Sequence, residues 1–508
     1  MDNLSYYLLL LILPVVFFFF FIITLKKQSS SKLNSPPSPP SLPLIGHLHL
    51  IKNALHLSLS SLSSQYGPVF SLRLGCKSFV VISSPSAVEE CFTTNDVVFS
   101  NRPRSMGGDR LTYNYSAYVW SPYGHYWRTL RKLSVIELFS SHSLARSAET
   151  REEETRKIIR VLSKNRAQKV DLNYLASVYT VNHMMRGVAG KSCVDEDEMV
   201  CETGRGKLEQ VRGLFSVSLS QGMCDFFPVL RWIGYKGMEK ELISLHNKRD
   251  EFSESLIKEV KLKNDDDKTK KSNLIETLLS LQESEPEFYT NDVIKSMILI
   301  LFIAGTETTA VTIEWAMSLL IAHPDELLKL RREIDDNIGH DHLLNDSDLT
   351  KLPYLRSVVN ETLRLYPPVP LLLPRSASEN CTIEGYNIPK GTILLVNAWA
   401  MLRNPKLWDE PDKFNPGRFM GMETEREYKF VPFGMGRRAC PGSTMGLRTV
   451  SLALGAFVQC FEWEQVVENE VMEDKYKHLM LKKVKPLEAV CVPRHEAAGI
   501  ITALMKQT

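Results

Sequence analysis

The run Pro432-Phe433-Gly434-Met435-Gly436-Arg437-Arg438-Ala439-Cys440-Pro441-Gly442 decides how this chain is read. A single cysteine stands at the meeting of two glycine-bearing arms, the layout of a cage for one metal-bound thiolate. Gly434, Gly436 and Gly442 let backbone pass close to a flat object, and Phe433 supplies an apolar shield beside the sulfur. Arg438 is within reach of an anionic group at the rim. Against this stands the ordinary behaviour of free cysteine, a small buried hydrophobe, in a glycine-rich turn. After the loop comes an apolar, helix-like stretch carrying Leu447, Val450, Leu452, Leu454 and Phe457.

The spacing Phe433, Gly436, Arg438, Cys440, Gly442 resembles the haem-binding loop of the cytochromes P450, a family of haem-thiolate monooxygenases. The resemblance implies haem b (iron protoporphyrin IX) as cofactor, with Cys440 the axial ligand of its iron. It also implies the cytochrome P450 fold: mainly α with small β-sheets, a large helical haem domain and a small β-rich N-terminal region. A thiolate ligand pushes electron density to the iron and favours O–O cleavage. That bond must also receive protons.

Residues 292–323 form a long apolar stretch, with Thr290 or Asn291 available as N-cap and Pro324 as a stop. They predict one central helix of about 48 Å at ~1.5 Å per residue. Inside it lies Ala304-Gly305-Thr306-Glu307-Thr308-Thr309. Glycine costs about 1 kcal/mol in a helix interior and consecutive threonines lose rotamer freedom, so a distortion is expected. Thr308 is placed to hydrogen-bond an oxygen or a water, Glu307 is an acid that can relay protons, and Gly305 leaves room for O2. In the family the matching acid and threonine have this role. Without Cys440 the segment would read as a threonine-rich kink with no chemistry.

Glu361 and Arg364 are three apart, share one helical face and can pair. They precede Tyr366-Pro367-Pro368, as in the family, where this pair is buried and joined by an arginine matching Arg418; the triad is expected to be structural. The family usually carries an acidic residue before that arginine, and this chain has Gly417, which puts local rigidity there in doubt. Trp127 and Arg131, four apart, also share a face. By resemblance they reach a haem propionate, with Arg375 and Arg438 as the other partners, a task suited to guanidinium forks. Arg128, Lys132 and Arg437 are expected to form a basic face for an acidic flavoprotein, the NADPH-cytochrome P450 reductase.

The chain has 508 residues and a net charge of +2, with basic and acidic residues interspersed, so nothing points to nucleic acid. Nine cysteines without a CxxC fit a reducing compartment. Residues 4–25 carry no charge and as a helix span about 33 Å, enough to cross a bilayer once. Lys26, Lys27 and Lys32 follow, which places the rest of the chain in the cytoplasm. The reading is a single-pass anchor of the endoplasmic reticulum membrane over 1–27, a proline-rich hinge over 28–45 and a catalytic domain over 46–508. Residues 69–74 and 78–82 read as a strand pair, and 265–271 as a charged, solvated connection. The sequons at Asn114, Asn345, Asn360 and Asn380 are chance matches in a cytosolic domain.

The resemblance covers residues 1–495 and is in detail to a plant microsomal (A-type) member of the isoflavone-hydroxylase-like group, as in the segments 39–48 and 485–489. It implies a monooxygenase of specialised metabolism that uses O2 and electrons from NADPH. Hydroxylation, oxidative ring closure and coupling are all open to it. The small apolar substrate is expected to be phenolic (a flavonoid, lignan, benzophenone or xanthone), with a triterpenoid or other terpenoid as alternative. Its pocket is expected from 101–123, 215–227, 300–304, 369–373 and 479–481, with Tyr113, Tyr118, Trp120, Ala304, Val369, Leu373, Leu479 and Met480 among the contacts. Two other classes remain: a haem-thiolate isomerase or dehydratase, which needs no proton relay, and a non-enzymatic haem sensor.

Overall fold

The structure is a computed structural model that describes residues 34–52, 54–165, 169–215, 222–264, 273–421, 428–466 and 480–506, with Pro14. The proposed anchor over 4–25 and the charged run over 265–271 lie outside these residues. The elements that position the site are, in chain order, α1 (Leu55–Tyr66), β1 (Val69–Leu74), β2 (Lys77–Ile82), α2 (Pro85–Phe92), α3 (His125–Ser134), α4 (Ala148–Lys164), β3 (Lys169–Asp171), α5 (Leu172–Ala189), α6 (Glu202–Phe215), α7 (Met238–Asn264), α8 (Asn291–Gly305), α9 (Glu307–Ala322), α10 (Pro353–Leu365), β4 (Arg375–Ser376), β5 (Cys381–Ile383), β6 (Tyr386–Ile388), β7 (Ile393–Val396), α11 (Ser443–Cys460), β8 (Phe461–Gln465) and β9 (Glu488–Pro493).

Helices dominate, and the strands form three small sheets: β1-β2-β7-β4, β3-β9-β8 and the hairpin β5-β6. The expected strand pair is present with Lys77 already in β2, and β2 runs parallel to β7. The proline run docks on this sheet: Ser71 donates from its amide to Pro37 O at 2.8 Å, and Pro36 and Pro39 are buried.

Local chemistry sets the helix ends. Ser84 caps α2 ahead of Pro85 at its first turn, Asp171 caps α5, and Gly190 ends α5 in the left-handed region. Thr290 caps α8, as the sequence suggested, accepting from Val293 N. Almost every residue of α5 is buried, because it packs against α4 on one side and α8 and α9 on the other. Among the described residues one stretch, Asn291–Ala322, is long and apolar enough to cross a membrane, and it is 78% buried inside the protein.

The central helix is not one helix. It breaks at Thr306 (φ −90, ψ −74) into α8 and α9. Gly305 weakens the helix there, and the threonine hydroxyls compete for its carbonyls: Thr306 donates to Phe302 O at 2.8 Å, Thr308 to Ala304 O at 2.6 Å and Thr312 to Thr308 O at 2.8 Å.

The Glu361–Arg364–Arg418 triad is formed. Arg364 Nε lies 2.6 Å from Glu361 Oε2 with both side chains fully buried, and Arg418 Nε lies 3.0 Å from Oε1. The remaining donors of Arg364 go to the carbonyls of Leu402, Pro411 and Lys413. Arg418 keeps its place without an acidic neighbour at 417, since Asp409 O accepts from its Nη1 at 2.9 Å. Removing one member of a buried pair strands the other charge, so Glu361→Ala is expected to lower stability by about 3–5 kcal/mol. Urea unfolding of the purified protein reads that loss.

Candidate active site

A cavity of about 640 Å³ lies between the 432–442 loop and the break between α8 and α9. The loop is a turn closed by backbone bonds: Gly434 N donates to Val431 O at 3.1 Å, Ala439 N to Gly436 O at 3.0 Å and Cys440 N to Phe433 O at 2.9 Å. These bonds present Cys440 to the cavity, where its accessible surface opens beside Phe433. Burial pushes the Cys440 thiol up, while the Gly442 amide and Arg131 favour the thiolate.

The glycines of this loop act differently from the sequence expectation. A Cβ at Gly436 would sit 2.3 Å from Asp96 Oδ1 and 3.2 Å from Phe92 O, and Gly436 has φ +69. Gly442 packs instead on Phe139, whose ring would be 3.3 Å from a Cβ there. Only at Gly434, also at positive φ, is the space nearly open, with Leu372 at 3.8 Å. The tight approaches at Gly436 and Gly442 are therefore to protein. Gly305 is corrected in the same way: its Cβ would lie 2.6 Å from Met184 Sδ on α5, so it lets α5 and α8 approach.

One end of the cavity is ringed by guanidiniums. Arg131 donates to Ala439 O at 2.8 Å, Arg375 to Met435 O at 2.6 Å and Arg438 to Ser121 O at 2.6 Å, with the Arg438 guanidinium 4.7 Å from the centre of the Trp127 ring. Arg102, which the sequence did not single out, joins them and ties Val119, Leu373 and Pro374 together through their carbonyls. Among the described residues Asp96, 3.9 Å from Arg375, is the one carboxylate in ion-pair range of these four. Burial pushes Arg375 down to about 10, and burial with the nearby Arg375 and Arg131 charges pushes Arg438 to about 9. Nη1 of Arg375 is buried with no hydrogen-bond partner. Such a cluster wants anionic acceptors, and the two propionates of a haem lying on Cys440 are acceptors of that kind.

The opposite wall is α8 and α9 at Ala304, Gly305, Glu307 and Thr308. Glu307 is not a free acid: Arg212 from α6 lies 2.8 Å from Oε1, and Lys482 Nζ pairs with Oε2. Burial would raise its pKa, but Arg212 and Lys482 outweigh that and hold the carboxyl below the usual range. Of the expected substrate contacts, Tyr118, Trp120, Ala304, Val369, Leu373 and Met480 line the cavity. Tyr113 does not; its hydroxyl donates to Asp250 at 3.2 Å and its ring packs 4.9 Å from His246, under α7. Leu479 lies outside the described residues. His183 on α5 also lines the cavity, with both ring nitrogens buried and unpartnered, and burial beside Arg151 and Arg186 pushes its pKa to about 3.

The sequence model of the family Cytochrome P450 matches residues 36–490. The chain belongs to the cytochrome P450 family. It is thus a monooxygenase, and membership implies a haem iron cofactor, which the cysteine loop and the arginine ring fit. Cytochrome P450 81Q32 of Catharanthus roseus is 46% identical over 468 residues, covering 91% of this chain and 92% of the relative. A protein described as (+)-piperitol/(+)-sesamin synthase, from Sesamum radiatum, is 44% identical over 91% of each chain. The isoflavone 2'-hydroxylase of Glycyrrhiza echinata is 40% identical, over 93% of this chain and 94% of its own. In this cytochrome P450 the Gly436 backbone is the tightest point of the cysteine loop. Gly436→Ala is expected to destabilise the protein by about 1–3 kcal/mol or more through left-handed strain and collision with Asp96, and Gly434→Ala by less. Paired urea titrations of the two variants check the order.

Proposed function

We propose that this cytochrome P450 oxidises a phenolic plant metabolite of the isoflavone or lignan type, by hydroxylation or oxidative ring closure. The observation that carries this reading is the cavity wall: Val369, Leu371, Leu372 and Leu373 on one side, Phe215 and Ile300 on another, with Tyr118 and Trp120 beside them. A wall of aliphatic and aromatic side chains with few polar groups suits a flat, apolar ring system. The relatives named for isoflavone hydroxylation and for piperitol and sesamin synthesis support the same class.

Bound on Cys440, haem supplies activation of O2. The chain's own residues do the rest. Arg102, Arg131, Arg375 and Arg438 bind and orient the carboxylate end of the cofactor. The Cys440 amide bond to Phe433 O and the Arg131 bond to Ala439 O fix the direction in which the sulfur points. The aliphatic wall excludes water around the substrate, and Thr308, whose hydroxyl sits at the helix break, holds a proton beside the site of oxygen binding.

We read the chain as anchored in the endoplasmic reticulum membrane by residues 4–25, with the catalytic domain in the cytosol. The exposed apolar residues Leu42, Leu44 and Ile45 and the exposed Val229, Trp232 and Ile233 support a membrane-facing end. The two groups meet at the turn after β1, where Gly75 N donates to Ile45 O at 3.3 Å and Cys76 N to Phe226 O at 3.0 Å. Arg128 and Arg437 flank the Tyr123 ring and with Lys132 offer an exposed basic face to NADPH-cytochrome P450 reductase.

The carbon monoxide difference spectrum of reduced microsomes, followed by NADPH-dependent turnover of an isoflavone, lignan and triterpenoid panel, tests the reading. A thiolate-type band with phenolic product supports it. Product from the triterpenoids alone overturns the substrate class, and turnover without NADPH favours the isomerase. Cys440→Ser is expected to abolish the thiolate-type band, whereas Thr308→Ala is expected to keep it and divert NADPH from product by roughly tenfold or more. Glycan at Asn114, Asn345, Asn360 or Asn380 would contradict the cytosolic placement.

A further inference from the structure

Glu307 opens α9 against the cavity, and two cations from distant parts of the chain hold it. Arg212 Nε donates to Oε1 at 2.8 Å, and Lys482 Nζ donates to Oε2. From Arg212 the network runs on: Nη1 donates to Asn173 Oδ1 at 3.3 Å, Asn173 Nδ2 donates to Glu314 Oε2 at 2.7 Å, and Leu487 N donates to Glu314 Oε1 at 2.9 Å. The carboxylate side chain is 9% exposed, while Arg212 and Lys482 are 29% and 28% exposed, so both cations bridge the interior and the water outside.

The segment that carries Lys482 is pinned. Leu481 is fully buried, its amide donates to Pro368 O at 3.2 Å, and its carbonyl accepts from Trp315 Nε1 at 2.9 Å. Met480 and Lys482, on either side of it, both line the cavity. The wall against which a substrate packs thus also supplies the counter-ion of the acid.

One cation would balance Glu307; two leave the cluster net positive and favour the ionised carboxylate. The other titratable groups that face it do not reverse this. His183 on α5 stays neutral, Glu314 is reached only through Asn173 and has Lys483 and Asp171 beside it, and Arg131 and Cys440 lie on the cavity's opposite floor. A carboxyl held in this way cannot donate a proton until one of its bridges opens.

We propose that Arg212 and Lys482 are positioning residues for proton delivery: they keep Glu307 ionised and aimed, and opening of one bridge lets it take a proton from water and pass it toward Thr308. The proposal rests on the monooxygenase reading for its catalytic meaning but not for its test.

The first measurement is the acid unfolding profile of the purified holoprotein. A carboxyl whose folded pKa is depressed contributes stability that is present above the ordinary carboxylate range and is lost as pH falls through the folded value. Losing a cation raises that folded value, so in Lys482→Met the acid midpoint is expected to move up by roughly one pH unit, with Lys482→Arg restoring it. The second measurement is product formed per NADPH consumed, across pH, with an isoflavone as the probe. Its inflection is expected to move to higher pH in Lys482→Met and Arg212→Gln, and back in Lys482→Arg. Profiles that stay in place in Lys482→Met, or that shift equally in Lys482→Arg, overturn the proposal, as does a uniform loss of stability at every pH. The unfolding profile needs neither substrate nor reductase, so failure of turnover would count against the proposed function while this test still decides the clamp.

Discussion

The ion pair of Glu361 and Arg364 is the interaction on which the rest of the structure leans. α10 packs against α9 and α11, and the pair on its inner face reaches out to the irregular chain between 402 and 418. That chain has little regular structure of its own, and it leads into the loop that presents Cys440. A buried ion pair is favourable only when its hydrogen bonds are complete. This one is: Glu361 also accepts from Asn415 N and Arg418 Nε, and Arg364 uses its outer nitrogens on carbonyls. Charge inside the protein thereby becomes a fastener for a segment that apolar packing alone would hold weakly.

The arginines at the end of the cavity follow the opposite logic. Arg102, Arg131, Arg375 and Arg438 are also bonded to carbonyls, but they lack carboxylates in comparable number and repel one another. Where the triad is closed, this cluster is left open toward an anionic ligand. The two arrangements use the same residue type, and the balance of carboxylates decides which is a fastener and which is a binding site.

The interruption between α8 and α9 joins backbone chemistry to function. Threonine hydroxyls bonded to carbonyls one turn back open the helix next to Gly305, and Met184 of α5 occupies the space that a side chain at 305 would fill. The break turns Thr308 toward the cavity and places Glu307 where residues from α6 and from the 480–482 segment converge on it. Helix strain, interhelical packing and an ion cluster thus meet within three residues.

Features that depend on neighbours in the chain were legible without coordinates. The cysteine loop, the helix break, the caps at Thr290 and Asp171, the pairing of Glu361 with Arg364 and the strands β1 and β2 all follow from spacing or from the conformational preferences of glycine, threonine and proline. Features that depend on which surfaces meet were not. Nothing near Glu307 in the chain announces Arg212 or Lys482, which lie 95 and 175 residues away. Tyr113 looked like a pocket residue because its loop is aromatic, yet a positive φ and Asp250 turn it under α7. Gly436 and Gly305 looked like room left for a ligand, and the space proved to belong to Asp96 and Met184. Spacing along one helix or turn is set by bond geometry, which the residues carry with them, whereas ion pairing and close packing across the core depend on the folded positions of distant side chains, which only the tertiary structure supplies.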